Sequence, residues 1–450
     1  MALPPSPLAV RGAPPVAGLS SEGLVRALGV RALAANAVNG CIGSGIFLLP
    51  ATVAAALGPA AIVAYVVCAV AIGLVVACFA EAGSRVARSG GAYAYAEAAF
   101  GPYVGFVVGT VNWLALVSSL AAVTAGLVGT AAAVVPALAQ PVVRAAVLAG
   151  LIGGFAWVNA RGVREGARFA VVATLAKLLP LAVLIGFGLP AVRAENLAWT
   201  SVPTPGAFGS GSLLLLFAFV GTESALTSSG EVRDPARTVP RAIALALGVV
   251  LVFYLALQVV AQGVLGADLA RSTAAPLADA AGRVLGPPGR ALLLVGAAVS
   301  MLGYVVGDLL ASPRALFAQA RDGFLVAPLA RVHPTRRTPH VAIWTYAAIA
   351  FAMAATGTFE RLVALSVVGL LTVFLAVCGS VLVLRRRGVA QAGPPYQTPG
   401  GPLVPVLAVV LVVGLIAQAT VSEFVALGGV VAAATALYPF RRKQPATVEE

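Results

Sequence analysis

Apolar runs longer than the roughly 18 residues that separate a membrane-spanning helix from a buried one recur along this 450-residue chain. Such runs read as spans of one hydrocarbon-facing body and not as a string of aqueous domains. Composition points the same way: 60% of residues are hydrophobic and 10% charged, against about 45–50% and roughly 25% in ordinary soluble domains. The sequence therefore predicts an all-α polytopic membrane protein. Twelve apolar stretches lie at about 32–57, 60–82, 103–133, 142–158, 169–189, 213–226, 242–265, 291–311, 341–355, 362–384, 403–419 and 424–437.

An even number of spans puts both termini on one side, and Lys/Arg concentrate in cytoplasmic loops. With the N-terminus inside, 22 of the 29 basic residues fall in inner segments and 6 in outer ones; the last, Lys177, lies inside the fifth stretch. Both termini are thus expected in the cytosol, across a bacterial-type cytoplasmic membrane. Residues 1–31 read as a disordered cytoplasmic tail, because the first 22 hold five prolines and no basic-then-apolar signal pattern. Residues 441–450 read as a second cytoplasmic tail. The longest connections, 266–290 and 319–340, are loop-sized, so 32–440 is expected to form a single transmembrane domain.

Several classes of chemistry lack their parts. The net charge of +13 is scattered between apolar runs, which suits membrane topology and a lipid environment and not nucleic acid. Cys41, Cys68, Cys78 and Cys378 lie inside apolar runs and offer neither a disulfide framework nor a metal pair. No phosphate loop surrounds Lys177 or Lys443, and His333 and His340 form no H-E-x-x-H pair. Without a G-x-S-x-G elbow either, the chain reads as neither an ATP-driven pump nor an enzyme, and no cofactor is expected.

Chemistry is concentrated at two interruptions. The first stretch reads Asn39-Gly40-Cys41-Ile42-Gly43-Ser44-Gly45-Ile46-Phe47, and each Gly inside a helix costs about 1 kcal/mol. Unwound backbone at membrane depth survives only inside protein or beside a water-filled cavity. Gly43-Ser44-Gly45 is therefore a candidate break, whose second half-helix aims free N–H groups at an anion, naturally a carboxylate. The sixth stretch is short and continues as Phe217-Ala218-Phe219-Val220-Gly221-Thr222-Glu223, a second break whose freed carbonyls suit an ammonium group. Two interrupted helices in corresponding positions are the pattern of a transporter built from inverted repeats, and the paired donors and acceptors describe an α-amino acid.

These stretches, with Pro50, Glu81-Ala82-Gly83-Ser84-Arg85, Arg88-Ser89-Gly90-Gly91-Ala92-Tyr93, Gly230-Glu231, Pro235, Pro240-Arg241 and Ala320-Arg321-Asp322-Gly323, resemble the amino acid/polyamine/organocation superfamily of permeases. The resemblance covers about residues 32–440. It implies the LeuT-type fold: five helices plus an inverted five, about 32–190 and 211–385, accessory helices about 402–440, and discontinuous helices 1 and 6. It also implies secondary transport of amino acids by alternating access. Carried over by motif, the carboxylate site falls on the N–H groups of Ser44, Gly45 and Ile46 beside Gly43, where a side chain at Gly45 would fill it. The amine site falls on carbonyls near Cys41, Ile42, Phe217 and Val220, next to Gly221. Phe217 matches an aromatic lid, and Tyr304 an aromatic of the eighth helix lining the cavity.

Lys177 lies nine residues beyond Arg168, roughly 13 Å along a helix rising about 1.5 Å per residue. A charged Lys at that depth costs at least about 2.5–3.5 kcal/mol, so it should face the protein interior. Because some proton-coupled members of the superfamily resemble this chain there, Lys177 is a candidate proton-coupling residue; alternatively it is a fixed cation on the carbonyls near Asn39 and Gly40. Glu223 either senses protons or hydrogen-bonds unwound backbone. Glu81 and Arg85, spaced i to i+4, read as a structural ion pair, and Asp308 as loop-facing or gate-bracing. The stretch 116–123 offers only Ser118 and Ser119 as polar groups, which favours a neutral side chain. Proton symport of neutral amino acids is the leading expectation, an exchanger for cationic substrates stands next, and a channel or receptor is the rival from another class.

Overall fold

Helices are the only regular elements among the described residues, which in this computed structural model are 29–86, 91–161, 166–199, 202–221, 235–336, 338–390 and 395–440. The α-helices run in the order α1 (Val30–Cys41), α2 (Gly45–Leu57), α3 (Ala61–Arg85), α4 (Ala92–Phe100), α5 (Pro102–Ala132), α6 (Pro141–Arg161), α7 (Gly166–Gly188) and α8 (Pro205–Phe219). They continue with α9 (Pro235–Leu265), α10 (Pro276–Ala311), α11 (Pro313–Arg321), α12 (His340–Thr356), α13 (Phe359–Arg386), α14 (Leu403–Ile416) and α15 (Val421–Leu437).

Local chemistry sets the boundaries. The first apolar stretch divides where expected: Ile42 leaves helical geometry at ψ 83° and ends α1, and α2 restarts at Gly45. Gly58, at a φ of 54° that disfavours L side chains, separates α2 from α3. In α10, Gly286 at φ 69° followed by Pro287 and Pro288 bends a short leading segment away from the long apolar part. Thr204 and Thr358 cap α8 and α13 by accepting the N–H groups of Ala207 and Arg361.

By length and composition, six helical stretches among the described residues can cross a membrane, or seven if α14 and α15, bent by 115°, form one span. The sequence marks twelve apolar segments. The difference has physical reasons: the first segment is broken at 42–44, and Lys177–Ala191, Pro205–Phe219 and His340–Thr356 are helical stretches shorter than a full crossing. Conversely, Gly45–Arg85 has 41 residues, about twice what the hydrocarbon core requires, and Gly58 divides it.

The interrupted helices sit in the middle. α1 packs on α9, α2 and α3 pack on α8, α10 packs on α7 and α5, and α13 packs along α5. Thus the described residues of both breaks lie among α9, α10 and α3.

A polar knot closes one end. Glu81, fully buried at the end of α3, accepts hydrogen bonds from Arg85 Nε (3.0 Å), Arg385 Nε (2.6 Å) and the Thr398 backbone N–H (2.9 Å). The expected Glu81–Arg85 pair is present, and Arg385 of α13 joins it. The Arg85 Nη1 group donates to Val389 O and the Tyr396 N–H to Ser84 Oγ, so the segment after α13 is stitched back onto α3. Removing one partner of a buried charge network leaves the others unpaired, so Glu81→Ala should cost about 3–5 kcal/mol. Denaturant unfolding in detergent reads this, and a loss below about 1 kcal/mol would reduce the knot to a surface-type pair.

Candidate functional site

The backbone at the first break is depleted of its own hydrogen bonds on one side. α1 closes with Ile42 N–H to Val38 O (3.0 Å) and Gly43 N–H to Cys41 O (2.8 Å). The ladder of α2 begins with the N–H groups of Phe47 and Leu48, both donating to Ser44 O (3.1 and 3.2 Å). The N–H groups of Ser44, Gly45 and Ile46 precede that ladder and carry the positive end of the α2 dipole. Ser44 is 1% exposed, and its Oγ has no hydrogen-bond partner among the described residues. Unpaired N–H donors at a helix start are groups that can receive an anion.

The second break faces the first. α8 ends at Phe219, Val220 turns out of the helix at ψ 141°, and Gly221 adopts φ 111°. Glu223 lies outside the described residues. The two backbones touch: a Cβ on Gly45 would stand 2.7 Å from Ala218 Cα, and one on Gly221 would stand 2.4 Å from Gly40 O. Gly45 is therefore required first by the approach of α8, which corrects the expectation that a side chain there would simply fill the carboxylate position. Gly43 has room, since a Cβ there meets only Cys41 O at 4.0 Å.

Hydrogen bonds complete the junction. Cys41 Sγ donates to Phe219 O (3.2 Å). The buried Tyr254 hydroxyl of α9 lies 3.0 Å from Cys41 O and 2.7 Å from Ala218 O, sharing one proton between carbonyls of both broken helices. Its ring packs edge-on against Phe219 and Tyr65, at centroid distances of 5.2 and 6.1 Å. Ser300 of α10 donates to Ile42 O (3.4 Å), and Lys177 Nζ of α7 donates to Asn39 O (2.6 Å). Of the carbonyls expected to receive an amine, that of Cys41 already accepts from Gly43 N–H and Tyr254, whereas that of Ile42 holds one donor, Ser300, and keeps a second lone pair.

The remaining expected residues, Phe217 and Tyr304, pack against α13 and α5. Phe217 is 7% exposed, with its ring edge-on to Phe359 of α13 at 6.4 Å. The Tyr304 hydroxyl and Ser119 Oγ of α5 are 2.7 Å apart. Sequence reasoning missed Tyr254 and Ser300, since a hydroxyl inside an apolar run carries no positional signal. Of the two roles expected for Asp308, the loop-facing one does not hold: it is buried and hydrogen-bonded to Ser312 and to Tyr346 of α12.

The glycine geometry makes a graded prediction. Gly45→Ala and Gly221→Ala force backbone apart and should each cost about 1–3 kcal/mol, whereas Gly43→Ala should leave unfolding temperature and monodispersity nearly unchanged. Equal tolerance of all three in thermal unfolding would contradict the close approach.

Comparison with known proteins finds a family model and several relatives. Residues 28–435 match the family model described as amino acid permease. The chain is 27% identical over 432 residues to the branched-chain amino acid permease of Bacillus subtilis, covering 89% of this chain and 90% of that protein. It is 28% identical over 405 residues to the methylthioribose transporter of the same organism, covering 86% and 87%. A Mycobacterium tuberculosis protein named as an uncharacterized transporter is 31% identical over 429 residues, covering 93% and 92%. The paired helix breaks thus sit in a chain that belongs to the amino acid permease family, an integral membrane transporter and not an enzyme.

Proposed function

We propose that the chain moves neutral amino acids across the cytoplasmic membrane by alternating access, as a proton-coupled symporter. The reading includes the LeuT-type arrangement of twelve spans with inverted repeats at about 32–190 and 211–385, accessory helices at about 402–440, and both termini in the cytosol. The observation that carries it is the juxtaposition at the first break. Donors lie on one side, namely the N–H groups of Ser44, Gly45 and Ile46 with the unpartnered Ser44 Oγ. The Ile42 carbonyl lies on the other, with a lone pair to spare beside the Ser300 hydrogen bond. An α-amino acid carries its carboxylate and ammonium on one carbon, so a single molecule spans both.

The neutral side chain is supported by the α5 face. Ser118 Oγ is committed to Leu114 O (2.8 Å) and Ser119 to Tyr304, so that face adds no acid for a distal cation. Phe217 against Phe359 supplies an apolar wall. The family match and the branched-chain amino acid permease among the relatives support the same substrate class.

For coupling, Lys177 and Glu223 are the residues proposed to respond to protons. Lys177 reaches the last turn of α1 through its bond to Asn39 O, so loss of its proton would weaken the hold on that turn. The same short bond favours a second reading, in which Lys177 is a permanent clamp and the protein exchanges one amino acid or amine for another, cationic substrates included.

Uptake of a labelled amino acid panel into sodium-free proteoliposomes with acid outside separates the readings. Symport predicts uncoupler-sensitive accumulation of neutral amino acids into empty vesicles, and uptake confined to preloaded vesicles would replace it with exchange. Lys177→Ala should abolish the dependence on the proton gradient. A variant that still follows the gradient while losing thermal stability would assign Lys177 to the clamp.

A further inference from the structure

The apolar body of α10 carries one polar file. Ser300, Tyr304, Asp308 and Ser312 recur every fourth residue, a spacing that places them on one helix face over about 18 Å at 1.5 Å per residue. Each has a partner the structure identifies. Ser300 donates to Ile42 O at the first break (3.4 Å), and Tyr304 meets Ser119 of α5 (2.7 Å). Asp308 accepts from Tyr346 of α12 through Oδ2 and from Ser312 through Oδ1, both at 2.7 Å. The file thus begins on the unwound backbone and ends on a buried carboxylate.

That carboxylate is held by neutral hydroxyls. Asp308 is 8% exposed, and among the described residues no Lys or Arg forms an ion pair with it. The ionisable groups facing it are Tyr346 from α12 and Tyr304 from its own helix. From α7, Lys177 is committed to Asn39 O, and from α9, Tyr254 is committed to the break carbonyls. Arg144 of α6 donates to Ala354 O and Ala355 O, α2 carries no ionisable side chain, and Arg314 of α11 makes no ion pair with Asp308. Trp113 of α5 lies edge-on to the Tyr346 ring at 6.2 Å, and its buried Nε1–H has no partner among the described residues. A buried charge without a counter-charge is costly, and a bound proton removes the cost.

We propose that Asp308 binds the coupling proton, and that the file Ser300–Tyr304–Asp308–Ser312 links its protonation to the first helix break. The inference rests on the symport reading, and it holds whether Lys177 titrates or stays a clamp. The step is a proton transfer alone. Water on one side of the membrane gives a proton to one carboxylate oxygen, an O–H bond forms, and the same bond breaks on release to the other side. Protonation makes one oxygen a donor and a weaker acceptor, which loosens the hydrogen bond it receives and lets Ser312 or Tyr346 turn its hydroxyl to a new partner. That rearrangement repacks α10 against α12, and Ser300 carries the shift to Ile42.

The test compares two assays on the full chain in sodium-free proteoliposomes: accumulation driven by acid outside, and counterflow without a gradient across a pH series. Asp308→Asn, a permanently neutral isostere, should lower gradient-driven accumulation by about tenfold or more, the scale of coupling between linked sites. It should leave counterflow active and remove its pH dependence. Tyr346→Phe, which takes one donor from the carboxylate, should keep the coupling and move the counterflow pH profile toward alkaline values. If Asp308→Asn does not fold, an unmoved profile in Tyr346→Phe overturns the proposal. Gradient-driven accumulation equal to wild type in Asp308→Asn, or an unchanged pH profile, overturns it as well. A wild type that accumulates nothing under the gradient would remove the symport reading itself.

Discussion

Two stretches of unwound backbone lean on each other at the centre of this protein, and the contact between them constrains everything nearby. Gly45 meets Ala218 and Gly221 meets Gly40 at distances that admit no Cβ. In an apolar body, backbone freed from a helix must find partners inside the protein. Much of the surrounding polar chemistry serves that need. Tyr254 bridges carbonyls of both broken helices, Ser300 and Lys177 reach Ile42 and Asn39, and Cys41 turns its thiol to Phe219 O. The N–H groups at the start of α2 are the counterpart that the proposed ligand would use, its carboxylate there and its ammonium on the carbonyl side.

The same contacts sort the helices by how firmly they are joined. α1, α2 and α8 are locked by backbone approach and by a tyrosine shared between them. Links from this unit to α7 and α10 include the single side-chain hydrogen bonds of Lys177 and Ser300. At the far end, Glu81, Arg85, Arg385 and Thr398 bind α3 to α13 and to the segment that follows it. A movement of the broken helices relative to α7 and α10 has to break individual hydrogen bonds, whereas separating α1 from α8 has to pull apart a close-packed junction. Transport by alternating access is easier to reconcile with the first movement.

Much of this was legible in the sequence where local chemistry decides the outcome. Three glycines around Ser44 inside an apolar run mark a break because nothing else explains their cost, and Glu81 with Arg85 shows its pairing through spacing alone. The depth of Lys177 follows from counting residues from Arg168. Tertiary partners were not legible. Tyr254 is one aromatic among many apolar neighbours, and only the fold reveals that its hydroxyl lies between two chain segments 177 residues apart. Arg385 and Thr398 join Glu81 from more than 300 residues away. The distance of Asp308 from Arg314 along the chain marks its place in the last turn of α10, but its burial against Tyr346 of α12 has no such signal. The twelve apolar segments correspond to six or seven long helices among the described residues, because hydropathy does not see where a helix stops.

The central claim is that one ligand holds both break chemistries at once, its carboxylate on the Ser44–Ile46 N–H groups and its ammonium on the facing carbonyls. Equilibrium binding of a neutral amino acid to the purified protein, compared with the same molecule lacking its carboxylate and the same molecule lacking its amine, tests this directly. The account predicts that each truncated analogue loses at least about tenfold in affinity, the equivalent of about 1.4 kcal/mol per lost charged contact. An analogue lacking either group that binds as tightly as the parent would contradict it.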